Sequence, residues 1–464
     1  MKRHPYLLNL IWFSVAGGWG CGSNPVSSFF EASLVIQSPK ENATYFLGQE
    51  KIAAVVEAKD PSGPVQVELF LEDRSLAVLD KSPFEQTLEL DRLLSDGALE
   101  RWLTLRVEAK SLTGQITRQS VSFQVTRRVL WTKEMGGPLL GSPQAFGENA
   151  LVTTPKGKVL AFTSMGKEES QFQADNEVVA PASVFADKAG LPTIVLGDIQ
   201  GIVYNLGPDG KLLANKALGA KPGAVSAPIS GDVANALGAM YAPMLDGRVY
   251  SFTLANQNPS TLTCEHLAKL RQPIVEGLAV YEDGAVALCS SLQAQPVFYD
   301  AGQKDFWAPP VQRASPSGGQ KVLVGGRDGK LYEFTPSAVS QPQILAALRT
   351  GPILTRPLVT EDKSIFVATE DGVLYRLSET GNILWKILDP GAKWLEPAAS
   401  DSMLYTATAA GVVRAYPLAE HNTPKPAWEL NLAKPLQGHP LFLHSILYLN
   451  TAGDKGTLFA LDAR

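Results

Sequence analysis

The chain has 464 residues, 45% hydrophobic and 19% charged, a globular composition rather than a disordered one. Its formal charge of −5 leaves no basic excess for phosphate, which excludes nucleic acid as the expected partner. Forty Gly and 32 Pro punctuate short runs rich in Val, Leu, Tyr and Phe, the composition of many strands joined by tight turns.

A targeting segment comes first. Lys2, Arg3 and His4 precede an apolar stretch from Tyr6 to Ala16, and small residues end at Gly20-Cys21. That stretch is too short to span a bilayer, so residues 1–20 read as a secretory signal. The run "GGWGCGS" resembles a bacterial lipobox, with Gly18 where a Leu is usual. The resemblance implies lipidation of Cys21, residues 21–31 as a polar tether, and outer-membrane sorting from Gly22. The alternative is an ordinary signal peptide cut nearby. Two further Cys, Cys264 and Cys289, leave a disulfide open: an envelope address permits one, and sequence cannot fix its geometry.

Residues 32–127 carry short alternating runs such as "KIAAVVEAKD", "VQVELFLED", "WLTLRVEAKS" and "SVSFQVT", separated by turns such as Asp60-Pro61-Ser62-Gly63. Roughly seven period-two strands in about a hundred residues predict an immunoglobulin-like β-sandwich. No Cys pair spans it, so Trp102, Leu105 and Val107 are expected to fill its core. Glu57 and Asp60 read as solvated acids, not as calcium ligands.

From residue 128 to 464 the sequence repeats with a period of about forty-three residues. Gly turns precede an aromatic strand in "KGKVLAF" (156–162), "IQGIVYNL" (199–206), "LDGRVYSF" (245–252) and "RDGKLYEF" (327–334). The series continues with "EDGVLYRL" (370–377), "AAGVVRAY" (409–416) and "DKGTLFAL" (454–461). A second ladder runs in step: Pro143, Pro181, Pro228, Pro273, Pro316, Pro357, Pro397 and Pro440 each open a repeat. The fourth repeat lacks its Gly near Gln293-Ala294-Gln295. Four short strands per repeat predict an eight-bladed β-propeller, with the all-β chain built of sandwich then propeller. Two-residue acid-Gly turns are expected to supply the hairpins. Trp131, Trp307, Trp385 and Trp428 are expected on outer strands, as packing residues. The last repeat ends without a Trp strand, whereas "VLWTKEM" (129–135) precedes the first Pro. Residues 129–135 are therefore expected to complete the last blade and close the ring.

The Pro-led inner strand, "DGxLYxL" and the following Trp resemble pyrroloquinoline-quinone-like propeller repeats. These occur in quinoprotein alcohol dehydrogenases and in the propeller lipoprotein of the outer-membrane β-barrel assembly machinery. The dehydrogenase reading needs an adjacent Cys pair, which Cys264 and Cys289 do not form. No zinc spacing joins His266, His421, His439 and His444, and no Gly-x-Ser-x-Gly elbow or phosphate loop occurs. His439 and His444 flank an inner strand of the last blade. The expected role is a non-enzymatic scaffold for other envelope proteins, without catalytic, cofactor or metal residues. It is expected to be lipid-anchored at the outer membrane through Cys21, facing the periplasm or the surface. The alternatives are a quinone-dependent oxidoreductase or a surface glycan-binding or adhesion module. Loops 217–226, 267–273, 389–397 and 419–426 depart from the repeat; within them Arg271 and Trp394 are the contact candidates.

Overall fold

The computed structural model describes residues 33–464, apart from 48–51, 61–62, 64, 89, 91–99, 187–189, 220–222, 232–238, 255–261, 270–273, 277–279, 282–284, 289–296, 301–307, 315–319, 336–341 and 421. Among the described residues no helix occurs. Two compact units separate. The first lies within residues 33–124; the second comprises Val125–Arg464 with the short pieces Phe46–Glu50 and Leu90–Arg101.

The first unit contains β1 (Ser33–Ser38), β2 (Thr44–Phe46), β3 (Ala53–Lys59), β4 (Gln66–Leu71), β5 (Arg74–Leu79), β6 (Phe84–Thr87), β7 (Glu100–Lys110) and β8 (Ile116–Thr126). They form a three-stranded sheet, β1-β3-β6, and a five-stranded sheet, β2-β8-β7-β4-β5. Alternation decides which residues enter the core. In β7, Leu103, Leu105, Val107 and Ala109 are buried, as are Val67, Leu69 and Leu71 of β4. Leu105 and Val107 thus lie in the core as expected. Trp102 does not: it is 54% exposed, because its even position puts it on the opposite face from Leu103.

The second unit is a series of small antiparallel sheets. After β9 (Val129–Glu134) come β10 (Leu140–Phe146), β11 (Asn149–Thr153), β12 (Lys158–Phe162) and β13 (Glu168–Gln173), one sheet. Next are β14 (Ser183–Ala186), β15 (Pro192–Gly197), β16 (Ile202–Leu206) and β17 (Leu212–Ala217). The third sheet has β18 (Ser230–Gly231), β19 (Ala239–Pro243), β20 (Arg248–Leu254) and β21 (Leu262–Lys269). Two two-stranded sheets follow, β22 (Ile274–Glu276) with β23 (Val280–Tyr281) and β24 (Ala285–Leu288) with β25 (Val297–Asp300). Four strands again make one sheet in β26 (Val311–Ala314), β27 (Gln320–Gly325), β28 (Lys330–Phe334) and β29 (Gln343–Ala347). The pattern repeats in β30 (Leu358–Val359), β31 (Ile365–Ala368), β32 (Val373–Leu377) and β33 (Ile383–Leu388). It repeats once more in β34 (Ala398–Ala399), β35 (Met403–Ala407), β36 (Val412–Pro417) and β37 (Trp428–Asn431). The last sheet takes β38 (Leu436–Leu443), β39 (Ile446–Thr451) and β40 (Thr457–Asp462) and completes itself with β9.

That borrowed strand is the one expected. β9 pairs antiparallel with β40, placing Thr132 opposite Phe459 and Trp131 opposite Ala460. Trp131 packs 5.8 Å from Tyr448 and 6.2 Å from Phe162, and its indole N–H donates to the Ser164 carbonyl at 2.7 Å. Trp385 and Trp428 occupy outer strands and are buried; Trp307 lies outside the described residues.

Successive sheets share their cores. Tyr204 clusters with Val159 and Ala161 of the preceding sheet, Tyr375 with Leu323 and Leu331, and Phe459 with Tyr405 and Val413. Tyr448 and Leu458 of the last sheet cluster with Val152, Leu160 and Phe162 of the first. Each aromatic so buried contributes roughly 1.5–3 kcal/mol of transfer free energy, which is why the aromatic recurs at this strand.

Two repeat details differ from expectation. The hairpins are three-residue loops, not two. Gly157 N–H donates to Thr154 O and Thr154 N–H to Lys158 O; the pattern recurs at Asp198–Ile202, Met244–Arg248, Gly326–Lys330, Thr369–Val373 and Thr408–Val412. Only the Gly is left-handed (φ +82° at Gly372), so the turn is type I closed by a Gly bulge. The acid instead ties down the exit: Asp246 Oδ1 accepts the Arg248 N–H at 3.1 Å. The Pro ladder also shifts at one rung. Pro309-Pro310 directly precede β26, whereas Pro316 falls after it, outside the described residues with Pro273.

Candidate functional site

The first strands of seven sheets, or the residues that lead into them, converge on a cavity of about 680 Å³. Its wall is divided. Pro181, Ile229, Pro309, Val322 and Leu354 are apolar, while Ser142, Arg356, Glu396 and His439 carry the polar chemistry. Each of these four immediately precedes a ladder Pro. In β10 and β38 the register is irregular between Leu140 and Gln144 and between Gln437 and Leu441. That irregularity spans the Gly-x-Pro where Ser142 and His439 sit, and bulges re-aim side chains in this way.

The polar groups form one bonded cluster. His439 Nδ1 lies 2.7 Å from Ser142 Oγ and 3.0 Å from Glu396 Oε2, and Ser142 Oγ accepts the His439 backbone N–H at 2.6 Å. Glu396 Oε1 accepts the Arg356 N–H at 3.3 Å. Burial pushes the Glu396 carboxyl up, but the His439 hydrogen bond and charge, with Arg356, outweigh it and hold the group below its ordinary range. A carboxylate on Nδ1 is satisfied when that nitrogen carries the proton, which fixes the tautomer drawn from this network. A hydrolytic relay would need the serine on one ring nitrogen and the acid on the other. Here both meet Nδ1. A quinone with its calcium does not fit either. Glu396 is the one carboxylate among the described residues of the wall, and calcium takes 6–8 oxygens.

Residues 104–290 match the family model of outer membrane protein assembly factor BamB. Among solved structures the chain is similar to BamB from Moraxella catarrhalis at 15% identity and a TM-score of 0.51, covering 71% of this chain and 98% of that one. It is similar to Saccharomyces cerevisiae Sqt1 at 11% identity and 0.56, covering 73% and 99%. The computationally designed Ika8 protein gives 13% and 0.54, covering 71% and 98%. Over residues 104–290 the chain is thus similar to that family, and its fold is like that of propellers. A comparison with curated proteins found no match. At such identities the structural likeness speaks to fold, which repeat packing sets.

Trp394, one of the two contact candidates, is buried. It is 6% exposed, bridges to Thr408, packs with Phe366, Trp385 and Tyr416, and is one of the residues lining the cavity. Arg271, Cys21, His421 and Cys289 lie outside the described residues, and so does the possible Cys264–Cys289 bridge. His439 and His444 part company. His439 faces the cavity, whereas His444 sits on the turn after β38 with φ +49°, its ring 3.0 Å from the exposed Glu148. Ser142, Glu396 and Arg356 were missed. The signal that finds them is the residue before each ladder Pro, polar in four consecutive sheets.

Proposed function

We propose that this chain is a non-enzymatic lipoprotein of the bacterial envelope, a scaffold that binds other envelope proteins during outer-membrane protein assembly. The observation that carries the reading is the match of residues 104–290 to the BamB family model. The sheet orders β1-β3-β6 and β2-β8-β7-β4-β5 support an immunoglobulin-like first unit. Seven four-stranded sheets, with the strand pairs of residues 274–300 between the third and the next, support eight blades. The cavity chemistry supports a passive role, since its serine and acid share one imidazole nitrogen. The anchor rests on the lipobox-like run at Cys21. Contacts with partners fall to the repeat-breaking loops 217–226, 267–273 with Arg271, and 419–426.

Affinity capture of the intact protein from detergent-solubilised envelopes tests this. Co-purification of outer-membrane β-barrel assembly proteins, weakened by Arg271→Ala, is the expected result. Recovery of the protein without them, or a quinone chromophore retained after addition of quinone and calcium, overturns it.

A further inference from the structure

Four neighbouring sheets put the residue before their ladder Pro on one stretch of the cavity wall: Arg356, Glu396, His439 and Ser142. We propose that these residues form a pH-dependent clasp across the seam where the last sheet meets the first, fastened while Glu396 is ionised and released when it is protonated.

The geometry makes one imidazole nitrogen a junction. His439 Nδ1, on β38, reaches forward to Ser142 of β10 and back to the carboxylate that leads into β34. The second carboxylate oxygen continues the chain to the backbone that leads into β30. Backbone approach holds the junction in place. A Cβ at Gly438 would lie 2.5 Å from Ser142 Oγ, and the residue sits at φ +70°, so β38 and β10 are pressed together at this point. The side chains of His439 and Glu396 are 28% and 22% exposed, which screens the pair less than a surface pair while leaving it open to protons. The charged and titratable groups of the cluster are Glu396, Arg356 and His439 itself. From β10 come only the neutral Ser142 and Gln144, and the β38 neighbours Gln437 and Gly438 are neutral too.

The sign follows from the carboxylate. Its folded-state value is depressed below the ordinary 4.5, so its contribution is fully present above that value and is lost as pH falls through the lower, folded one. Protonation replaces the charge-assisted Glu396–His439 bond with a neutral one, so the imidazole that meets Ser142 Oγ loses its hold from behind, while the His439 backbone N–H bond to Ser142 Oγ does not titrate. Gln437 Nε2 donating to Leu139 O at 2.6 Å and Asn450 Nδ2 donating to Gly141 O at 3.1 Å do not titrate. The seam therefore loosens in acid without parting.

Hydrogen exchange of the full chain, corrected for intrinsic rates, reads this directly. Between about pH 6 and about pH 2, on either side of the depressed Glu396 value, the amides of β10 and β38 should lose roughly tenfold protection relative to β31 and β32. Glu396→Gln, which keeps the shape and an acceptor oxygen, should show the loosened seam already at neutral pH and little further response to acid. Ser142→Ala, a second variant, should free β10 while β38 keeps its pH response. Wild-type protection that falls equally in all four strands, or a Glu396→Gln profile parallel to wild type, overturns the clasp. So does a Ser142→Ala chain whose β10 behaves as wild type.

Discussion

Trp394 lies in a loop that breaks the repeat, and an exposed loop tryptophan is ordinarily an anchor for partners. The bridge between Trp394 and Thr408 draws that loop inward, where the ring meets Phe366, Leu374 and Tyr416, with the Arg414 guanidinium 5.7 Å from its centre. Sequence shows which residues stand in a loop but not which way a short bridge turns them. Trp394→Ala should therefore act as a core deletion. A loss of about 3–5 kcal/mol in denaturant unfolding is expected, with partner capture by the residual folded protein unchanged. The same blindness hid the cavity cluster. Ser142, Arg356, Glu396 and His439 belong to different repeats, so no local spacing joins them, and only their shared place before a Pro marks them.

Strands and turns were far more legible, because a packing rule writes them. Tyr204, Tyr332, Tyr375 and Tyr448 are each buried to within 2%. The loop length was misread because Asp-Gly serves both hairpin types; the difference lies in which residue takes the positive φ. Trp102 failed for a parity reason, one position deciding its face. Between sheets, buried arginines tie two of them to the sheet that follows. Arg313 holds Glu333, which Lys321 also pairs, and donates to the Glu379 carbonyl of the following sheet at 2.7 Å. Arg376 repeats the device, donating to the Leu418 carbonyl at 2.7 Å. Burial raises the Glu333 carboxyl, yet Lys321 and Arg313 hold it below its ordinary range. Its stabilisation is thus complete above the ordinary carboxylate value and fades as pH drops through the folded one. Glu333→Ala should cost about 3–5 kcal/mol by stranding Arg313, whereas Arg313→Met with Glu333→Leu should recover most of it. Urea midpoints of the three chains at neutral pH decide the matter; equal losses in the single and double variants would contradict it.

For the molecule as a whole, the repeat period foretold the architecture, while the partner and the cavity chemistry were not written in any motif. The anchor is the whole-molecule prediction that sequence alone supports. Cys21→Ser should shift the protein from the membrane pellet to the soluble fraction and abolish incorporation of labelled fatty acid; unchanged fractionation would point to ordinary signal cleavage. The strand at 129–134 carries a further consequence. Arg128 Nη1 donates to the Asp462 carbonyl although 334 residues separate them, and the neighbouring ribbon has no other place in its sheet. A polypeptide emerging head first must carry that ribbon uncovered until its tail arrives, which makes completion of the last sheet a late and slow event. Any product interrupted before its final turn leaves the ribbon bare, so a quality-control protease could distinguish finished from unfinished copies by this segment alone.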